Sequence, residues 1–242
     1  MKVAIMQPYL LPYIGYFQLI NVVDQFVIYD NIEFTKKSWI KRNRFLSNGQ
    51  AKYFSIPIKK DHDHLPVIER QLTPDAQGNL NKLVRQFEQA YHKAPYFLHV
   101  LPLLKDIFTI KNYNLFWFIF YSLTKTLSYL RITTPVVVSS TIDLADHSLR
   151  SEQKVISICQ ALGASDYINP IGGKLLYNHS DFNKAGIGLT FLKPHSIEYA
   201  QFGGDFLPWL SILDVMMFNS VEQIQQLLQQ FTLEAAYYDQ PT

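Results

Sequence analysis

The first thirty residues constrain this chain most. Val3 to Met6 is an apolar run short enough for a buried strand, and the proline-punctuated segment Gln7-Pro8-Tyr9-Leu10-Leu11-Pro12-Tyr13 follows it. Pro8 and Pro12 forbid a continued strand or an early helix, while the apolar run after Gly15 opens one. A second strand, Phe26 to Tyr29, then runs into Asp30 and a segment dense in charge and aromatics up to Arg44. Strand, loop, helix and strand in this order describe the start of an α/β sheet, in which ligands bind beyond the carboxyl ends of the strands. The loops after the first two strands, one helix apart, are expected to meet.

Downstream, the Asn48-Gly49 pair suits a type I′ turn, because both central residues need positive φ, so Phe45 to Ile58 is expected to form a β-hairpin. Val67 to Arg70 extends it as a further strand, making residues 45–72 an antiparallel excursion. Helices are expected near Asn79–Tyr91, Tyr96–Thr109, Tyr113–Leu130 and Leu149–Leu162, with strands at Pro135–Ser140, Asp166–Asn169 and Gly188–Leu192. Leu210–Phe218 and Val221–Phe231 read as two short helices of a helical tail over residues 205–242. The whole, residues 1–242, is expected to be one α/β domain with a mostly parallel, Rossmann-like sheet flanked by helices. Its 48% apolar content suffices for one substantial core.

Composition excludes several functions. A net charge of +2 with 17% charged residues leaves no broad electrostatic footprint for duplex nucleic acid or an anionic bilayer. Local basicity must carry any anion binding. A single cysteine, Cys159, excludes an intrachain disulfide and a cysteine-based zinc site. It falls on the apolar face of an expected helix and reads as core. Tyr113 to Leu130 is too interrupted by polar residues to span a membrane and reads as a buried or interfacial helix. Met1 leads into a strand without a signal-peptide core, so a cytoplasmic protein is expected.

Several motifs carry a family resemblance. Gln7 to Ile20, Tyr29-Asp30, Thr35 to Arg44, Lys93-Ala-Pro-Tyr-Phe97, Tyr167 to Gly173 and Phe206 to Asp214 together resemble the WbqC-like family of bacterial proteins encoded in polysaccharide and O-antigen clusters. The resemblance covers nearly the whole chain and implies a role in decorating sugars for surface polysaccharide. Separately, Tyr13-Ile14-Gly15-Tyr16 resembles the His-x-Gly-His signature of nucleotidyltransferase folds with both histidines replaced by tyrosine. Gly15 there would let a phosphate approach the start of the helix. A tyrosine-bearing helix start is the alternative.

The second loop puts Lys36, Lys37, Lys41, Arg42 and Arg44 around Trp39. Arginine forks match phosphate oxygens and a tryptophan ring stacks on a base or sugar, so Lys37, Trp39, Arg42, Asn43 and Arg44 are candidates for a nucleotide or nucleotide-linked sugar. A solvated basic loop is the alternative, with one of Arg42, Asn43 and Arg44 pointing inward. Gly172 and Gly173 form a turn whose amides can nest an anion, or an ordinary turn. Ser139-Ser140-Thr141 either lines the cleft or caps the next element of the chain. Asp30 is the candidate general base, with an ion pair to Arg42 or Lys36 equally open; Gln7 and Lys36 complete the catalytic candidates. His62 and His64, alternating with Asp61 and Asp63, read as surface rather than zinc ligands, and His147 and His195 are isolated.

These readings lead to an enzyme that acylates or aminoacylates the amine of a nucleotide-linked amino sugar, with ATP and Mg²⁺ or an acyl-CoA as the donor system. Three alternatives stay open: a non-catalytic sugar-nucleotide-binding module, a partner subunit of the polysaccharide machinery, and an RNA-binding protein, the last disfavoured by the low net charge.

Overall fold

A computed structural model describes residues 1–62, 64–146 and 148–236. The opening runs as expected: β1 (Lys2–Met6), α1 (Ile14–Val22) and β2 (Gln25–Ile28). Then come the hairpin strands β3 (Arg42–Ser47) and β4 (Gln50–Ser55), and three helices, α2 (Ala76–Tyr91), α3 (Phe97–Ile107) and α4 (Leu115–Tyr129). The chain returns through β5 (Val136–Val138), α5 (Ser151–Ala161), β6 (Asp166–Pro170), α6 (His179–Lys184) and β7 (Gly188–Pro194). It ends with α7 (Ile212–Phe218), α8 (Val221–Leu227) and β8 (Phe231–Ala235).

The main sheet has the order β5-β2-β1-β6-β7-β8. Its first five strands are parallel, and β8 runs antiparallel to β7. From β1 the chain builds outward through β2 to β5, then crosses back and builds the other way through β6 and β7. The order therefore reverses between β1 and β6, and at such a switch point the loops diverge and leave a crevice.

Alternation along the strands separates two apolar layers. Val3, Ile5, Val27 and Phe191 face one side, packed with Val155, Ile158 and Cys159 of α5 and Phe182 of α6. Ala4, Phe26, Ile28 and Leu192 face the other, which holds α1 and the larger helical layer. Helix α1 is apolar all round and buried from Ile14 to Ile20, as a central helix must be. Its one buried amide, Gln18, donates to the carbonyls of Leu227 and Gln230 at 2.9 and 3.0 Å, closing the end of α8. Among the described residues no helix is long and apolar enough to cross a membrane.

The hairpin forms around Asn48 and Gly49 at φ 51° and 73°, but it begins earlier than expected, at Arg42. Val67 to Arg70 is not a strand: Val67–Glu69 is a 3₁₀ turn after Pro66, which has no N–H to give a ladder. The helical tail needs a larger correction. Helix α8 stops at Leu227, and Phe231–Ala235, whose apolar residues alternate with Thr232 and Glu234, pairs along β7. Residues 237–242 of that expected tail, together with Asp63 and His147, lie outside the described residues. Helix α6 went unanticipated because its six residues, His179–Lys184, show no repeating apolar period.

Candidate ligand site at the carboxyl edge of the sheet

The loops after β1 and β2 do meet. The Leu10 N–H donates to the Ile40 carbonyl at 3.0 Å, and the Tyr9 and Trp39 rings lie 6.3 Å apart. Asn43 is the inward-pointing member of its triplet. Its amide donates to the carbonyls of Leu10 at 3.3 Å and Leu11 at 2.5 Å, and its oxygen accepts from the Arg44 N–H. These bonds hold Leu11 at φ 42°, the left-handed bend that turns the loop back. Tyr16 is likewise internal: its buried hydroxyl donates to the Gln7 carbonyl at 2.9 Å. Both residues shape the first loop. Gly15 makes room for the Tyr13 ring, which a Cβ at that position would strike.

With Asn43 turned in, Arg42 and Arg44 turn out and flank Trp39. Their guanidinium carbons lie 5.2 and 5.8 Å from its ring centroid, and Arg42 is 5.9 Å from the ring of Tyr53. Trp39 and Tyr53 stack at 5.9 Å. Arg42 donates to the Lys37 carbonyl at 2.5 Å and Arg44 to the Trp209 carbonyl at 3.0 Å. No carboxylate among the described residues pairs with either, and both Nε atoms are buried without a hydrogen-bond partner. The result is a ring platform carrying two uncompensated positive charges. Its field is visible in its neighbours. Burial and Tyr13 push the Tyr9 phenol up while Arg44 and Arg42 pull it down, and burial with help from Arg42 lowers the Lys41 ammonium. Lys36 and Lys37 are exposed at the outer margin.

Asp30 occupies the end of β2 and is wholly buried. Its Oδ1 accepts from the Ser139 hydroxyl at 2.7 Å and the Ser140 N–H at 3.0 Å, so the serine segment after β5 fixes the carboxylate. Its Oδ2 has no hydrogen-bond partner among the described residues. Beside it the Lys154 ammonium of α5 donates to Asn31 Oδ1 at 3.0 Å and lies 5.4 Å from the Tyr29 ring centroid. Burial and Arg150 lower the Lys154 pKa, and Asp30 opposes them. Lys154 escaped sequence reasoning because a lysine on an amphipathic helix looks like surface; its partners are more than a hundred residues away.

Across the switch point, the Tyr167 hydroxyl donates to Asn169 at 3.1 Å at the end of β6. Gly173 is buried so closely against the Asn169 amide that a Cβ would collide with it, whereas Gly172 is exposed with open space around it. Residues Ile171–Leu176 form 3₁₀ turns. Gln7, at the end of β1 between these two sides, keeps its side-chain amide free of hydrogen bonds to the described residues. His62 and His64 are exposed, with His64 3.4 Å from Glu33, and Cys159 is core, its thiol pushed up to about 12 by burial.

Sheet order and edge chemistry define an open, doubly wound α/β protein with a cationic, aromatic platform beside its switch point. Within that class, the chain belongs to the WbqC-like protein family, whose model matches residues 7–226 and so takes in both first loops. It is similar to the uncharacterized protein Rv1507c of Mycobacterium tuberculosis, 29% identical over 221 residues that cover 90% of this chain and 93% of that protein. No solved structure matches the chain significantly.

Proposed function

We propose that this protein is a cytoplasmic transferase of surface-polysaccharide biosynthesis that acylates or aminoacylates the amine of a nucleotide-linked amino sugar. The observation that carries the reading is the pair of guanidiniums around Trp39 with no carboxylate among the described residues to neutralise them. Two forks beside an aromatic face suit a diphosphate joined to a flat base, which is the chemistry of a sugar nucleotide. The resemblance to polysaccharide-cluster proteins supplies the amino sugar as acceptor.

In the proposed step the sugar amine attacks the acyl carbonyl carbon, forming the amide C–N bond as the bond from acyl carbon to leaving group breaks. The leaving group is the phosphate of an acyl-adenylate or the sulfur of coenzyme A. The surplus amine proton passes to Asp30 Oδ2, the carboxylate oxygen with no donor of its own. Gln7 orients the acyl oxygen with its uncommitted amide, Lys36 and Lys37 add positive charge at the margin, and the exposed amide of Gly172 is open to a phosphate. Positioning and charge stabilisation account for most of such a rate.

A thermal-shift panel of ATP, AMP, acetyl-CoA and dTDP-, UDP- and GDP-linked sugars tests the reading, with mass spectrometry of each stabilising nucleotide incubated with amino acids. A stabilising sugar nucleotide that gains an acyl mass bears out the transferase and names its donor. Stabilisation without product points instead to a sugar-nucleotide-binding module. A flat panel removes the nucleotide and leaves the partner-subunit reading.

A further inference from the structure

Next to the arginine platform, beyond the carboxyl end of β7, lies a cavity of about 280 Å³ that the proposed chemistry leaves unused. Tyr13, Ile14 and the segment from Pro194 to Val215 enclose it, and Ile197, Phe206, Pro208, Leu210 and Val215 supply its apolar walls. Tyr199 also lines it, but its hydroxyl is committed to Asp214 Oδ2 at 2.7 Å. The other polar side chains there are the exposed His195 and Ser196 and the half-buried Tyr13.

Trp209 joins this cavity to the platform. Its ring lies 5.8 Å from Tyr13, its carbonyl accepts from Arg44, and its backbone is held at φ 62°, a conformation that bulky residues rarely adopt. Despite this anchoring Trp209 is 63% exposed, so a large apolar surface is held open at the cavity mouth. The cavity falls at the small end of ligand pockets, roughly 300–1,000 Å³, too small for a sugar nucleotide. A sugar ring placed there would bury most of its hydroxyls against the apolar walls.

We infer that the cavity is the subsite for the apolar end of the acyl donor, a short hydrocarbon chain or an apolar amino-acid side chain, whose phosphate-bearing part reaches Arg44 from its Trp209 side, while Arg42, Trp39 and the outer side of Arg44 keep the sugar nucleotide. This rests on the anionic-ligand reading above, and the test separates the two. Calorimetric titration of the full chain with monoalkyl phosphates from ethyl to octyl, and with the matching n-alcohols, reads head and chain independently. In the wild-type protein each added methylene tightens binding about fourfold until the cavity is full, after which affinity is flat. Alkyl phosphates bind more tightly than alcohols of equal length, and Arg44→Ala narrows that gap. Ile197→Trp, at a half-buried wall position, abolishes the chain-length dependence and leaves ethyl phosphate bound. Trp209→Gly, which relieves the positive φ and removes the mouth, weakens the dependence should the bulkier variant fail to fold.

Phosphates that bind with no dependence on chain length overturn the inference and leave the anion platform standing. A chain-length dependence that persists in both Ile197→Trp and Trp209→Gly places the chain elsewhere and overturns it too. Equal affinity for phosphates and alcohols overturns the anionic reading, and with it the pairing of head and chain.

Discussion

Two aspartates lie wholly inside this protein in opposite states of satisfaction. Asp214, on α7, accepts from the Tyr91 hydroxyl at 2.7 Å on one oxygen and from Tyr199 and Gln201 at 2.7 and 2.8 Å on the other. Tyr91 in turn accepts the Leu46 N–H at 2.8 Å, so one carboxylate ties α2, the hairpin and the segment after β7 to α7. Asp30 has two donors on Oδ1 and none on Oδ2. A buried polar atom left unpaired is costly, and the fold tolerates one at the carboxyl edge of its sheet while leaving none on Asp214. The first carboxylate is an architectural tie; the second keeps acceptor capacity in reserve at the place where α/β sheets bind ligands.

Removing each carboxylate is the sharpest way to break this contrast. Asp30→Asn keeps an oxygen for the Ser139 and Ser140 donors but cannot take a proton, so product formation is expected to fall about 10²–10⁴-fold, the range of general-base removal. Its stability in urea is expected to stay within about 1 kcal/mol of wild type. Undiminished product formation would make Asp30 a structural residue like its counterpart. Asp214→Ala is expected to act the other way round, losing about 2–4 kcal/mol of unfolding free energy because two tyrosine hydroxyls and an amide are stranded in the core. A loss under about 1 kcal/mol would mean that the network contributes little net stability, and the distinction would collapse.

The arginines extend the comparison to the surface. Arg42→Ala and Arg44→Ala are each expected to weaken a stabilising sugar nucleotide by about 1–3 kcal/mol, as loss of a charged hydrogen bond does. Unchanged affinity in both would remove the platform from the site. Its parts were legible to different degrees. Local chemistry announced the loop prolines, the Asn48-Gly49 turn and the cluster of cations around Trp39. Which of Arg42, Asn43 and Arg44 points inward depends on the carbonyls of Leu10 and Leu11, over thirty residues away, and period alone cannot assign it. Tyr16 sits at the offset from the first strand that the signature requires, but where its hydroxyl goes, to the Gln7 carbonyl, depends on the fold of the loop and not on that offset. Strand β8 escaped because five residues after a helix read as its last turn until β7 is there to pair with them.

The smallest expected effect is a pH dependence that belongs to Asp214. Burial raises its pKa above the ordinary 3.8, and hydrogen bonds from Tyr199, Tyr91 and Gln201 oppose the rise without cancelling it. The native protein therefore holds this proton more tightly than the unfolded chain, and its contribution to stability is full below 3.8 and lost as pH rises through the native pKa. Asp214→Asn carries no such proton. The difference in unfolding free energy between wild type and Asp214→Asn, measured in urea at intervals from pH 4 upward, is expected to move against wild type as pH rises and then level off. A difference that stayed level from pH 4 upward would show that the three donors outweigh burial, because a native pKa held below 3.8 titrates beneath that window. The tie would then be held by a stabilised carboxylate anion rather than by one kept in spite of its charge.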